Sequence, residues 1–281
     1  MTMLHQRAFR KIDRRVRMTW AAVEADTFLV SYPKSGRTWF RFILSHYFAS
    51  VAREEATVDL RGMFGVVPNY DLDPVRGIPA FRYRHRRSEV PLILVTHHLY
   101  RRSLFLNRPI IFMVRDPRDV LVSAYFHATR HKHRFVGGID DFIADEEQGA
   151  LALVRYLNAW GWGLPHHRSI VLSYEALTAE TEGASARVIE FLGFPPRPEL
   201  LRRAVEASRF EAMREREIEQ GLPAHTYDRG DAESLRMRRG VAGGFRDYLS
   251  ETQADNILAI CERQLTSAAK ALVSKTGLRL D

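Results

Sequence analysis

Cysteine is almost missing from this chain: Cys261 stands alone among 281 residues. No internal disulfide can form, which excludes a disulfide-stapled secreted fold. Lysine is scarce as well. Of 42 cationic residues, only Lys11, Lys34, Lys132, Lys270 and Lys275 are lysines. No apolar run reaches the roughly 20 residues that a membrane-spanning helix needs. The opening MTMLHQRAFRKIDRRVRMTW is basic but has no uninterrupted apolar centre, so it does not read as a secretory signal. No repeat, low-complexity tract or linker divides the sequence. These absences lead us to expect one cytoplasmic domain over residues 1–281, without a transmembrane segment.

What is present fits that expectation. With 46% hydrophobic and 27% charged residues, the chain can bury a sizeable core. Its formal net charge of +8 favours an anionic partner: a nucleotide, an acidic polymer, nucleic acid or a membrane surface. Because arginine is the default cation, a lysine inside a glycine-containing loop reads as a chemical choice of a compact point charge over a planar fork.

Apolar periodicity places four strands. They are TFLVSY (27–32), 92–95, PIIFMV (109–114) and SIVLS (169–173). Helical patterns lie between and after them: 38 to about 48, 117 to about 129, 151–160, 184–192, 198–207 and 210–219. A last helix begins near Ser250, where S-E-T-Q forms a capping box. Asp116 and Pro117 suit an N-cap and first helical position. Residues 9, 12, 16 and 20 are spaced as one face of an N-terminal helix with basic residues on the other, a face expected to pack on the domain, with a membrane or partner surface as the alternative. Strands alternating with helices imply an α/β fold with a mainly parallel sheet covered by helices, and ligands at the carboxyl ends of its strands.

The first strand meets PKSGRT and then a helix, the arrangement of a P-loop-like phosphate cradle. Helix N-terminal amides carry partial positive charge, Gly36 lets the backbone approach an anion, Ser35 and Thr38 offer hydroxyls, and Lys34 adds charge. The loop is not a Walker A motif, because its lysine precedes the glycine and no upstream glycine exists.

SYPKSGRTW resembles the 5′-phosphosulfate loop of cytosolic-type sulfotransferases that use 3′-phosphoadenosine 5′-phosphosulfate (PAPS). Three further segments agree in order: RDPRDVLVSAYF, LSYEAL followed by EFLGF, and MRRGVAGGFRDYLS. The resemblance implies that Lys34, Ser35, Gly36, Arg37 and Thr38 hold the 5′-phosphosulfate. Arg115, Ser123, Arg238, Arg239 and Gly240 would hold the 3′-phosphate. Trp39, Phe210 and Tyr174 would contact adenine. It also implies a general base at His97 in LILVTHHLY, with Lys34 stabilising the leaving phosphate, no metal, and a hydroxyl-bearing acceptor. His98 is the rival base, pointing the other way if the strand continues. Five positions depart from the family pattern: Val95 stands for a lysine, Arg37 for a threonine, Arg209 for a serine, and Phe245–Arg246 for Trp-Lys.

Two other classes share some of these features. A P-loop kinase needs Mg²⁺ and a Walker A anchor that is missing here. A nucleic-acid-binding protein is suggested by the charge and by ATRHKHR (128–134), but that run carries neither a recognition-helix pattern nor interleaved stacking aromatics; it reads as a charged helix end facing an acceptor. The acceptor pocket is expected from residues 51–90 and 131–151, which lie between the cofactor motifs.

Overall fold

The computed structural model describes residues 3–53, 58–223 and 225–280, with side chains from residue 13 on. Four strands form one parallel sheet: β1 (Thr27–Ser31), β2 (Ile93–Thr96), β3 (Ile110–Val114) and β4 (Ser169–Ser173), in the order β2-β1-β3-β4. All four expected strands are present within about a residue or two. β1, β2 and β3 are buried along their whole length, while β4 starts exposed, as an edge strand does.

The register brings the strand ends into line. Val30 pairs with Thr96, Ser31 with Met113, and Val114 with Ser173. The residues immediately beyond, Tyr32, His97, Arg115 and Tyr174, therefore emerge along one edge of the sheet. Ligand sites of open α/β sheets lie there because no side chain of the sheet itself fills that space.

Helices cover the sheet where the apolar pattern placed them: Arg37–Val51, Pro117–Phe126, Ala150–Gly163, Thr181–Phe191, Pro198–Ala207, Phe210–Gln220 and Glu251–Gln264. Asp116 caps the second of these by accepting from the Arg118 N–H at 2.9 Å. Ser250 and Gln253 close the expected capping box, at 3.2 and 2.9 Å. Ser173 caps an additional short helix, Tyr174–Ala179. Trp160 is fully buried against Tyr100, Phe105 and Phe112. Among the described residues no helix is long and apolar enough to cross a membrane.

Two expectations are corrected. The N-terminal helix, Met3–Glu24, leaves Val16 and Trp20 at 61% and 65% exposure and packs through Met18, Ala21 and Ala22. Its last turns meet the domain through small residues that allow close approach; the side chains at 9 and 12 lie outside the described set. The helix from Pro117 was expected to continue to about residue 129. Its α geometry ends at Phe126 and a π-helical turn runs from His127 to His131. The Lys132 N–H donates to the His127 carbonyl five residues back, and Thr129 Oγ1 donates to the Tyr125 carbonyl.

Candidate active site

Beyond β1 the backbone turns left-handed twice, at Lys34 (φ 73°) and at Gly36 (φ 87°). Gly36 is required on two grounds. Its φ strains any L side chain, and a Cβ there would collide with the Tyr174 ring. No side chain caps the helix that starts at Arg37, so the amides of its first turn remain donors at the positive end of the helix. Lys34, Gly36, Arg37 and Thr38 line a cavity at this point. Ser35 is only 2% exposed and does not reach the cavity wall.

Arg115, at the end of β3, ties three walls of that cavity together. It donates to the Lys34 carbonyl at 3.3 Å and to the Val241 carbonyl at 3.0 Å, and its guanidinium lies 4.1 Å over the Tyr174 ring. It also lies 3.5 Å from Asp119, while its Nε is buried with no partner. Asp119 is itself buried. Its two oxygens accept from the Gly243 and Phe245 N–H groups at 2.7 and 2.8 Å, which fixes the late glycine-containing loop over the site. Gly240 (φ 70°) presses its backbone on Phe210, where a Cβ would not fit.

The cavity is lined by Lys34, Gly36, Arg37, Thr38, Trp39, His97, Arg115, Ser123, Tyr174, Phe210, Arg238, Arg239 and Gly240, together with Ser208, Met213, Arg236 and Met237. Of the nucleotide and catalytic candidates read from the sequence, all but Ser35 and the rival base His98 thus line one cavity. Trp39 is fixed by donating its Nε1–H to the Ser208 carbonyl at 2.9 Å and stands edge-on to Tyr174. Arg238 lies between Phe126 and Tyr248, at 4.4 and 4.6 Å, and pairs with Glu233. Arg239 pairs with Asp247 nearer the surface.

Arg236 was not anticipated. Nothing in SLRMRRG marks Arg236 as joining Arg238 and Arg239 on the cavity wall. The decision belongs to Glu217, which is fully buried. It accepts from the Tyr227 hydroxyl and from the Arg236 and Met237 N–H groups, each at 2.8 Å.

His97 and His98 are separated by their surroundings. His97 Nδ1 lies 2.6 Å from the Ser31 carbonyl oxygen. A carbonyl only accepts, so Nδ1 carries the hydrogen and Nε2 keeps a lone pair. His97 lines the cavity with Lys34. His98 is exposed, stands edge-on to Tyr70, and lies outside the cavity. Burial holds His97 well below the ordinary histidine range, and the Arg37 and Arg236 charges add to the effect. Burial likewise pushes the Lys34 ammonium down to about 7, assisted by Arg236, Arg238 and Arg115 and opposed by Glu217.

Three more histidines share this field. Burial lowers His127, His131 (to about 4) and His225 (to about 2), with Arg236 and Lys132 contributing to each. In every case the folded pKa lies below the unfolded one, so the unfolded chain takes up protons first as the pH falls. Stability is complete above the ordinary histidine value, about 6.5, and is lost on acidification. The expected result is a thermal midpoint that drops between about pH 7 and about pH 5, with a shallower slope for His225→Gln. A midpoint independent of pH in that window would contradict the burial of these rings.

Comparison with known proteins agrees with the geometry. Residues 24–269 match the family described as Sulfotransferase domain. The 3-alpha-hydroxysteroid sulfotransferase of Cavia porcellus is 25% identical over 277 residues, covering 94% of this chain and 92% of that protein. Sulfotransferase 2B1 of Mus musculus is 26% identical over 254 residues, covering 85% and 71%. Among solved structures, retinol dehydratase in complex with retinol and PAP shares the fold with a TM-score of 0.62 at 21% identity, covering 92% of this chain and 84% of that one. Mouse sulfotransferase SULT7A1 complexed with PAP does so with a TM-score of 0.55 at 20% identity, covering 89% and 88%. A match over nearly the whole chain, on an α/β sheet whose strand ends gather the motif residues into one cavity, places this protein in the sulfotransferase family.

Proposed function

We propose that residues 1–281 act as one cytoplasmic PAPS-dependent sulfotransferase unit that sulfates a hydroxyl group. The observation that carries this reading is a single cavity with cations at two places, Lys34 and Arg37 in one loop and Arg115, Arg238 and Arg239 around another, with Trp39, Tyr174 and Phe210 on its wall. These residues fit a nucleotide that is anionic at both ends. The unpartnered Arg115 Nε and the glycines held against Tyr174 and Phe210 leave donors and backbone open to phosphate oxygens.

When bound, PAPS supplies the sulfuryl group and a phosphate leaving group. Lys34, Arg37, Thr38 and the first-turn amides hold its 5′ end, with Ser35 contributing through the backbone. Arg115, Ser123, Arg238, Arg239 and Gly240 hold the 3′-phosphate, and Trp39, Tyr174 and Phe210 hold the base. His97 Nε2 takes the acceptor's hydroxyl proton as its oxygen bonds to sulfur. Lys34 meets the electron pair left on the departing phosphate oxygen, so the products are a sulfate ester, PAP and a protonated His97. One relative is named for a hydroxysteroid and one structural neighbour holds retinol, which supports an alcohol as the acceptor function.

Arg115 provides the test. Arg115→Ala is expected to weaken PAPS by roughly 1.5–3 kcal/mol, the worth of a charge-assisted contact. It should weaken adenosine 5′-phosphosulfate, which lacks the 3′-phosphate, far less. Calorimetry on both nucleotides checks this, and equal losses would remove the 3′-phosphate from Arg115.

A further inference from the structure

Arg236 belongs to two neighbourhoods. It lines the cavity with Lys34 and His97, and its Nη2 lies 3.2 Å from His225 Nε2. The other ring nitrogen, His225 Nδ1, lies 2.7 Å from Lys132 Nζ and 3.2 Å from His131 Nε2. His131 Nδ1 lies 2.9 Å from the Ser234 carbonyl, to which it must donate. Lys132 belongs to the ATRHKHR run, which the nucleotide site leaves unused.

These contacts cannot all be satisfied by the protein. A guanidinium and an ammonium only donate, and a neutral imidazole has one acceptor nitrogen. Arg236 needs that acceptor at Nε2 and Lys132 needs it at Nδ1. Donors therefore outnumber acceptors around His225. The same neighbourhood holds further unanswered donors: the Nε atoms of Arg236, Arg76 and Arg41 are buried without a hydrogen-bond partner. Beyond the burial of each group, the Arg76 charge lies close enough to disfavour protonation of Lys132, His225 and Arg236, and Arg236 does the same to Lys132 and His225.

Nearby carboxylates already accept from other donors. Glu217 accepts from Tyr227, Arg236 N–H and Met237 N–H, while Asp73 accepts from Val75 and Arg76 N–H and pairs with the Arg76 guanidinium at 3.2 Å. Asp71 Oδ1 accepts from the Asp73 N–H. Among the described residues no group of three or more His, Cys, Asp or Glu is placed to hold a metal ion, so these rings form no cation site. An ionised oxyanion, which only accepts, answers the whole set.

We infer that the hydroxyl acceptor carries an oxyanion, a phosphate or a carboxylate, bound by Arg236, Lys132 and His225 beside His97 and Lys34. This rests on the sulfotransferase reading above and adds the substrate class to it. Arg236 reaches from the reacting centre to the cluster, so the anion sits close to the hydroxyl that is sulfated. Arg37, which stands where the family pattern has threonine, extends the same positive wall along the cavity.

The test begins with protein saturated with PAP, which occupies the nucleotide cations. Inorganic phosphate and acetate are then titrated by calorimetry, one representing each oxyanion. At least one should bind with one-to-one stoichiometry, and the tighter of the two identifies the class. Lys132→Gln and His225→Gln should each weaken it about tenfold or more, as loss of a charge-assisted contact does. PAP binding by these variants reports that the fold persists. In transfer of labelled sulfate from PAPS, glucose 6-phosphate or glucuronate should exceed glucose in kcat/KM by a similar factor, and Lys132→Gln should shrink that ratio.

No anion binding to the PAP complex would overturn the inference. Binding that neither variant weakens would do the same, because the anion would then sit elsewhere. A neutral sugar sulfated as well as its charged counterparts would also overturn it. Each of these results leaves the PAPS reading standing, whereas failure to bind PAP at all would sink both.

Discussion

Replacing His97 by alanine is expected to lower kcat by about 10²–10⁴-fold, the usual contribution of a positioned general base. PAP affinity should change little, because the imidazole's free nitrogen serves the acceptor's proton. The pH profile gives a second signature. With its pKa held below the ordinary histidine value, His97 is neutral and competent through neutral pH. Protonation removes the Nε2 lone pair, so the rate falls as the pH drops through this lowered pKa. The acidic limb should lie below about 6.5 and vanish in His97→Ala. His98→Ala should keep its activity, since that ring faces Tyr70 outside the cavity. The opposite pattern, a dead His98→Ala and an active His97→Ala, would reject the assignment.

Lys34→Ala is expected to lower kcat by about 10²–10³-fold, the scale for losing one preorganised charge partner of the transition state. Unlike His97→Ala, it should also weaken PAP. Lys34→Arg should restore binding better than rate, because a planar fork cannot occupy the place of a point charge. The Lys34 ammonium, pushed down to about 7 in the free protein, is largely deprotonated at higher pH. An anionic nucleotide raises that pKa, so binding draws in a proton. PAP affinity should therefore fall as the pH rises above neutrality, and at about pH 8 the binding heat should depend on the buffer's ionisation enthalpy. A binding heat independent of buffer would show that the amine is already charged.

The sheet was legible because each strand is a compact apolar run beside turn residues. β3 is buried throughout, as PIIFMV requires. The caps at Asp116 and Ser250 were legible for a local reason: each acts on amides two or three residues away. The nucleotide residues followed from motif order, and the sheet register explains why such distant segments meet. What the sequence withheld depends on contacts between remote segments. Asp119 looks like any first-turn acid until its partners at Gly243 and Phe245 are seen. Arg236 looks like its neighbours until Glu217 fixes the adjoining amides. The π turn at His127–His131 changes the direction of every later side chain, so a pattern read at 3.6 residues per turn could not place His131 against His225.

The two buried carboxylates also set a length. Glu217 holds the backbone at Arg236 and Met237, and Asp119 holds it at Gly243 and Phe245. Between these posts only the span from Arg238 to Ala242 is free of their grip, and that span carries the cations of the cavity mouth. Any breathing that lets a nucleotide in or out on this side is that of a short bridge pinned at both abutments. Its stiffness comes from the Arg115 bond to the Val241 carbonyl and from the Arg238–Glu233 and Arg239–Asp247 pairs. The exchange rate of PAP is therefore expected to depend on these few bonds, of which the exposed Arg239–Asp247 pair is the one that salt can screen, and not on the core that holds the sheet together.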